Sequence, residues 1–195
     1  MFSGDNIVIG TNTTFDTQLG GVITASSVQG QFTTKIYSGN FTALDNDLAP
    51  LLAPHNKFMI NDPTKIFGKQ VRYPVGTTVC INKVKRYYLL AFASFDSSTP
   101  KIQPTPIASV WSSLTELWET VRSNNNLEEI CVPIIGTNFG RTNLAPEVMA
   151  KLIILSFYTN SREARVCNKL TIALHPSSLE KFDTIQIEDF IRKLV

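Results

Sequence analysis

Apolar and polar positions along the chain switch between two periods. Ile7-Val8-Ile9-Gly10-Thr11 is a short β-rich apolar run behind a Gly-Asp turn and predicts a buried strand over residues 7–11. The polar stretch Asn12-Thr13-Thr14-Phe15-Asp16-Thr17 predicts a loop. Within residues 24–37, Val28, Phe32 and Ile36 recur four apart and mark one helix face, with Ser26 or Ser27 as its N-cap. Residues 38–70 read as irregular, punctuated by Gly39, Pro50, Pro54, Pro63 and Gly68, with one short helix over 44–52. Pro74-Val75-Gly76-Thr77 turns the chain into a strand over 78–82. Lys83-Val84-Lys85-Arg86 connects it tightly to a second strand over 87–92, which predicts an antiparallel hairpin. Pro100, Pro104 and Pro106 break the next stretch.

The clearest helix covers residues 107–123, where Val110, Leu114, Leu117 and Val121 recur at helical spacing with Trp111 and Trp118 on the flank. Core packing is the simplest role for both tryptophans. Residues 129–135 form a strongly apolar buried strand, and 136–141 a polar loop. Pro146 suits the first turn of a helix to about residue 160. Residues 170–174 predict another buried strand and 187–194 a short terminal helix. Strands alternating with helices predict a three-layer α/β fold with a mixed central sheet flanked by helices.

Composition narrows the function classes. The 195 residues suit one domain, 1–195, and 43% hydrophobic content supports a real core. Eighteen Lys and Arg against sixteen Asp and Glu give +2, without the basic excess that binding nucleic acid or anionic membrane requires. Three cysteines with no CxxC argue against a disulfide scaffold or a Cys-based zinc site, and point to a reducing cytosol. No apolar run reaches the ~20 residues that cross a bilayer. The abrupt start at Met1-Phe2-Ser3-Gly4-Asp5 fits a piece of a longer protein.

Two segments carry candidate chemistry. In Cys131-Val132-Pro133-Ile134-Ile135-Gly136-Thr137-Asn138-Phe139-Gly140-Arg141 an apolar strand runs into a loop with two glycines, and a helix follows. Backbone N–H groups in such a loop, with the positive end of the helix dipole, can cradle a phosphate. Glycine lets the backbone approach closely or take φ > 0. Arg141 can add a charge-assisted contact and Phe139 can stack on a ligand; a plain turn with Arg141 solvated is the alternative. It is neither a Walker A loop nor GxGxxG. In the second segment, Gly4-Asp5 precedes the first strand and Asn12 follows it, at the strand end where open α/β sheets bind ligands. The alternatives are a turn-forming Gly-Asp and an Asx turn at Asn12. His55 and His175 are too few for a metal site, and no Ser, His and Asp spacing predicts a triad. His175, at the end of a buried strand, is a candidate for lining a ligand or simply a turn residue. Glu116 with Glu119, and Glu128 with Glu129, read as solvated charges.

Together these segments resemble the macro domain family, which binds ADP-ribose. Its Gly-Asp-Ile-Thr segment and its Ile-Val-Asn-Ala-Ala-Asn strand look like Gly4-Asp5-Asn6-Ile7 and Ile7-Val8-Ile9-Gly10-Thr11-Asn12. In detail the chain is most similar to the macro-like domain of Thoeris antiphage effectors that join transmembrane helices to a macro domain. That likeness also rests on Thr13-Thr14-Phe15-Asp16-Thr17, Val28-Gln29-Gly30-Gln31-Phe32, Pro74-Val75-Gly76-Thr77 and Lys169-Leu170-Thr171-Ile172. The resemblance implies that Asp5 holds the adenine amine beside the Asn6 and Ile7 backbone, and that Asn12 faces the distal ribose. It implies that Gly136, Thr137, Asn138, Phe139, Gly140 and Arg141 wrap the diphosphate, and that Ser27, Val28, Gln29 and Gly30 occupy the family's other phosphate loop. There the chain departs from the Gly-Gly-Gly-Val run of hydrolysing macro domains, which favours binding over turnover. Gln29 and Gln31 are candidates for contacts to a modified distal ribose, or else face solvent.

The function so implied is a non-enzymatic sensor. Its ligand would be an ADP-ribose derivative, histidine-linked ADP-ribose foremost, made from NAD by a TIR-domain partner. Binding would activate a membrane-disrupting module, with the sensor cytoplasmic and the full-length protein anchored in the inner membrane. No cofactor or nucleic acid is implied, and a homo-oligomer is compatible. An ADP-ribosyl hydrolase and a reader of ADP-ribosylated protein are the alternatives. The role of 38–77 as lid, oligomer contact or packing stays open. If Gly136 lines the diphosphate, Gly136→Val should abolish binding and spare the fold.

Overall fold

The computed structural model describes residues 6–97, 99, 101–136, 142–179 and 182–194. Its sheet is built around β1 (Asn6–Asn12), which pairs in parallel with β5 (Arg86–Phe95) on one side and β7 (Ile130–Pro133) on the other. β4 (Thr78–Asn82) runs antiparallel beyond β5, and β8 (Leu170–Ala173) parallel beyond β7, giving the order β4-β5-β1-β7-β8. A short β6 (Ile102–Gln103) pairs with the end of β5.

A central strand covered on both faces needs apolar residues without alternation. In β1, Val8 enters one core and Ile7 and Ile9 the other. β5 divides in the same way, with Tyr88, Leu90 and Phe92 on one face and Tyr87, Leu89 and Ala91 on the opposite one. The first core is closed by α3 (Ile107–Asn124) and α4 (Pro146–Glu163), the second by α1 (Val28–Tyr37) and α2 (Phe41–Leu52). The result is the expected three-layer α/β arrangement with a mixed sheet. A one-turn α5 (Pro176–Leu179) and α6 (Thr184–Arg192) complete the chain. Among the described residues no helix is long and apolar enough to cross a membrane.

Four expectations change. α1 starts after its Ser27 cap as read, but its buried residues are Gln29, Gly30, Phe32, Thr33 and Tyr37, while Val28 and Ile36 are half-buried. Polar side chains can face inward there because each finds a backbone partner. β8 is half-buried, being the last strand on its side of the sheet, where only Leu170 and Ile172 reach the core. The segment 12–17, read as a polar loop, is buried throughout.

Residues 38–70 are more regular than their glycines and prolines predict. Asn40 caps α2 by accepting from the Ala43 N–H, and the helix carries Pro50 in its last turn before a 3-10 turn over Ala53–Phe58. β2 (Ile60–Asn61) and β3 (Val71–Arg72) then form a small antiparallel pair. Their connection packs onto the sheet's carboxyl edge. Tyr73 N–H donates to the Thr13 carbonyl at 2.8 Å, and Ile66 N–H to Ser97 at 3.1 Å. Arg72 bridges Asp62, the Phe95 carbonyl and the Ser97 hydroxyl. Of the three roles left open for this region, packing over the loop after β1 is the one its contacts display.

Candidate functional site

β1 and β7 are parallel neighbours whose following helices lie on opposite faces, α1 on one and α4 on the other. Such a reversal opens a crevice beyond the carboxyl ends of the two strands, where open α/β sheets bind ligands. The strands pair only through Asn6 with Ile130 and Ile7 with Cys131. Further along, the Ile135 side chain packs against Gly10, where an added Cβ would meet it at 3.3 Å. Asn12 follows Gly10 by two residues and Gly136 follows Ile135, so both candidate segments reach the same edge.

The β1 side of this edge is a self-satisfied polar cluster. Asn12 Oδ1 accepts from the backbone N–H of Thr14 and of Asp16, both at 3.1 Å, which is the Asx turn weighed above. Asn12 Nδ2 donates to Asp16 Oδ2 at 3.0 Å. Asp16 is 3% exposed and pairs with the equally buried Lys65 at 3.1 Å. Gln29 is neither solvent-facing nor open toward a ligand, for its amide is buried and donates to the Asp16 carbonyl. Gln31 donates to the Ser26 carbonyl at 3.0 Å. The Ser27 hydroxyl accepts from Gly30 N–H at 3.0 Å and donates to the Thr24 carbonyl at 2.7 Å, so α1's first turn is already capped. Gly30 packs rather than cradles, since a Cβ there would lie 2.1 Å from the Thr24 carbonyl oxygen.

The β7 side is built differently. Gly136 has φ +84°, which glycine adopts without strain. A Cβ there would lie 2.7 Å from the Phe92 ring and 3.0 Å from the Thr142 methyl. The Gly136 carbonyl accepts from both the N–H and the hydroxyl of Thr142, at 3.2 Å each, and so closes the base of the loop. Thr137, Asn138, Phe139, Gly140 and Arg141 lie outside the described residues, as does Asp5. α4 opens with Pro146, and among the described residues no side chain caps it. Among the described residues the positive end of its dipole therefore has no side-chain cap over it. The contact at Gly136 corrects one expectation: Gly136→Val cannot spare the fold, because its side chain would enter the Phe92 ring.

Asn6 and Ile7 stand at the other end of β1, Asn6 about 20 Å from Asn12 at ~3.3 Å per residue. Asn6 is buried by structural work. Its Nδ2 lies 3.1 Å from Asn125 Oδ1, Glu128 Oε2 and the Glu129 carbonyl, and its Oδ1 accepts from Arg86 N–H at 3.2 Å. Ile7 does share a feature with the other candidates. With Ile9, Phe32, Ile36 and Tyr87 it forms the apolar floor of a groove of about 270 Å³ beside α1. Val28 and Gln31 line the groove, and Lys35 and Lys85 add its basic character. Val28, the first residue of α1, carries this groove toward the carboxyl edge.

Three of the candidate glutamates are paired. Glu119 pairs with Arg122, Glu128 with Arg86 and Glu129 with Lys169. Trp118 is fully buried, with its indole N–H on the Ser156 hydroxyl at 3.0 Å, whereas Trp111 is partly exposed. Cys80, Cys131 and Cys167 are free, and burial pushes all three thiols up. Among the described residues no three His, Cys, Asp or Glu side chains gather as a metal would require. What sequence reasoning missed is Lys65 with its partner Asp16; the only local signal was the density of short hydrogen-bonding side chains over residues 11–17.

A family model described as "Thoeris protein ThsA, Macro domain" matches residues 2–175, from before β1 to the end of β8 and its following turn. No curated protein matches the chain.

Proposed function

The chain belongs to the family of Thoeris ThsA macro domains, and from that premise we propose that it is the sensor of a Thoeris defence effector, binding an ADP-ribose-derived nucleotide without transforming it. The observation that carries this reading is the family match across both strand ends that meet at the crevice between β1 and β7. The ligand's distal ribose lies at Asn12. Its diphosphate lies against residues 136–141 and the first turn of α4, where oriented N–H groups favour negative charge. Its base extends toward the groove that Ile7 and Val28 line, whose apolar floor suits a flat ring.

Binding is favoured over turnover by the chemistry near Asn12. Among the described residues the titratable groups of that cluster are Asp16, Asp45, Lys65 and Lys69; Asp16 pairs with Lys65 and Asp45 with Lys69, and both lysines also donate to backbone carbonyls. A general base needs a lone pair within reach of the proton it takes. The signal is histidine-linked ADP-ribose, made from NAD by a TIR-domain partner, and occupancy activates an attached membrane-disrupting module in a full-length protein anchored in the inner membrane. A ligand drives such a switch only by binding one state more tightly.

The test is a thermal-shift series with ADP-ribose, NAD, cyclic ADP-ribose and histidine-linked ADP-ribose, with mass analysis of each sample. A ligand bound only by the native state raises Tm. The largest shift is expected with intact histidine-linked ADP-ribose. A shift accompanied by cleavage makes the protein a hydrolase, and no shift with any of the four removes the functional reading.

A further inference from the structure

We propose that Asp16 is the positioning residue of the ligand site: held by Lys65 and the backbone of Lys69, it orients the Asn12 carboxamide so that Asn12 presents one N–H to the ligand and no acceptor. The inference rests on the reading of Asn12 as a ligand contact.

The hydrogen-bond accounting around Asn12 closes. Its Oδ1 has two lone pairs, and the N–H groups of Thr14 and Asp16 fill them. Its Nδ2 carries two hydrogens, and one goes to Asp16 Oδ2. The Thr14 hydroxyl lies 2.7 Å from Asp16 Oδ2 and 2.9 Å from Asn12 Oδ1, and its one hydrogen favours the carboxylate. What remains is the second Nδ2 hydrogen. A flipped amide would set its oxygen against the Asp16 carboxylate and its NH2 against two N–H donors, so Asp16 fixes the donor-outward orientation. Asn12 can then recognise an acceptor oxygen, such as that of a ribose hydroxyl.

Asp16 is itself immobilised from the distant 65–69 segment. Lys65 has three N–H donors and places them on Asp16 Oδ2, the Phe67 carbonyl and, at 2.7 Å, the Lys69 carbonyl. Lys69 N–H donates to Asp16 Oδ1 at 2.5 Å, and the Lys69 ammonium holds the Phe15 carbonyl at 2.7 Å and also Asp45. Gly68, at φ +68°, lets the backbone ride over the carboxylate, since a Cβ there would lie 2.2 Å from Asp16 Oδ1. A buried ion pair is a poor source of stability, because an apolar replacement often serves as well. Here the pair also fixes the orientation of a neighbouring amide.

The experiment compares the native chain with Asp16→Asn and the milder Lys65→Gln. Two readouts are used: ADP-ribose titration by calorimetry, and the Asn12 side-chain amide signals in 1H–15N spectra, identified by their loss in Asn12→Asp. Trp118→Phe, in the opposite core, controls for destabilisation alone. In folded Asp16→Asn the Asn12 amide signals shift and affinity falls tenfold or more. In Lys65→Gln the same signals move and affinity falls threefold to tenfold, while Trp118→Phe stays within twofold of native. A folded Asp16→Asn or Lys65→Gln that keeps native affinity overturns the proposal, as does an equal loss in Trp118→Phe. If the native chain takes up no ADP-ribose, the functional reading falls by itself. The positioning claim is then decided by the spectra, where unmoved Asn12 signals in both variants overturn it.

Discussion

At the carboxyl edge of the sheet, the junction from β1 to α1 and the junction from β7 to α4 handle their polar groups in opposite ways. After β1 the chain buries Asn12, Thr13, Thr14, Asp16 and Thr17, lets them satisfy one another, and caps α1 with Ser27. Its glycine, Gly30, is there because the Thr24–Ala25 backbone crosses α1 at contact distance. After β7 the chain uses a positive-φ glycine, closes the loop's base through Thr142 and leaves α4 without a side-chain cap among the described residues. On the proposed reading the first junction is a wall that offers a ligand one oriented donor, and the second is the anion cradle. Glycine content alone cannot separate them, because glycine answers both steric crossing and backbone conformation.

The sharpest way to break this contrast is at the two glycines. Gly136→Val places a branched side chain at φ +84°, 2.7 Å from the Phe92 ring at its first atom. Left-handed backbone costs about 1–2 kcal/mol outside glycine, and overpacking adds about 1–3 kcal/mol. Chemical denaturation should report a loss of about 4 kcal/mol, with ADP-ribose binding abolished. A native midpoint in that variant would mean Phe92 is not where the cradle rests. Gly30→Ala should cost about 3 kcal/mol, as an overpacked and shifted helix start, yet lower ADP-ribose affinity only through the unfolded fraction. Affinity that collapses while Gly30→Ala remains folded would make the first junction a cradle too.

Which elements were legible in the sequence follows from the range over which each is specified. β1, the Ser27 cap, the strand Thr78–Asn82 and the apolar stripe of α3 are encoded by residues at most four apart, so periodicity finds them. The buried cluster after β1 depends on Lys65, 49 positions from Asp16. Hydropathy assigns Lys to the surface, and Asn, Thr and Asp in a row to an exposed loop. Only a partner that neutralises and satisfies them reverses that assignment. α1's inward face was misread for the same reason: Gln29 and Thr33 enter the interior because the Asp16 carbonyl and the helix's own Gln29 carbonyl receive their hydrogens. The place of Asn12 at the end of a buried strand was legible; the orientation of its side chain was not.

A smaller effect sharpens the β7 side. Thr142→Val keeps the N–H that donates to the Gly136 carbonyl and removes the hydroxyl that also does so. A net hydrogen bond is worth about 1 kcal/mol, so stability should fall by that amount. If residues 136–141 hold the diphosphate, the loosened loop base should weaken ADP-ribose binding severalfold in a calorimetric titration. Equal affinity in a Thr142→Val variant that has lost the expected stability would detach the loop base from binding.

The smallest effect tests the wall. Ser27→Ala removes the acceptor of the Gly30 N–H and the donor to the Thr24 carbonyl. Losing an N-cap costs about 1 kcal/mol, read as a modest fall in Tm. Because the Ser27 hydroxyl already holds the Gly30 N–H in the native chain, ADP-ribose affinity should stay within twofold. Tighter binding in Ser27→Ala would show that the freed N–H groups can take up a phosphate oxygen, so that the cap competes with the ligand. Weaker binding, with the fold intact, would put the Ser27 hydroxyl itself in contact with the ligand, and the division between a wall and a cradle would no longer describe this edge.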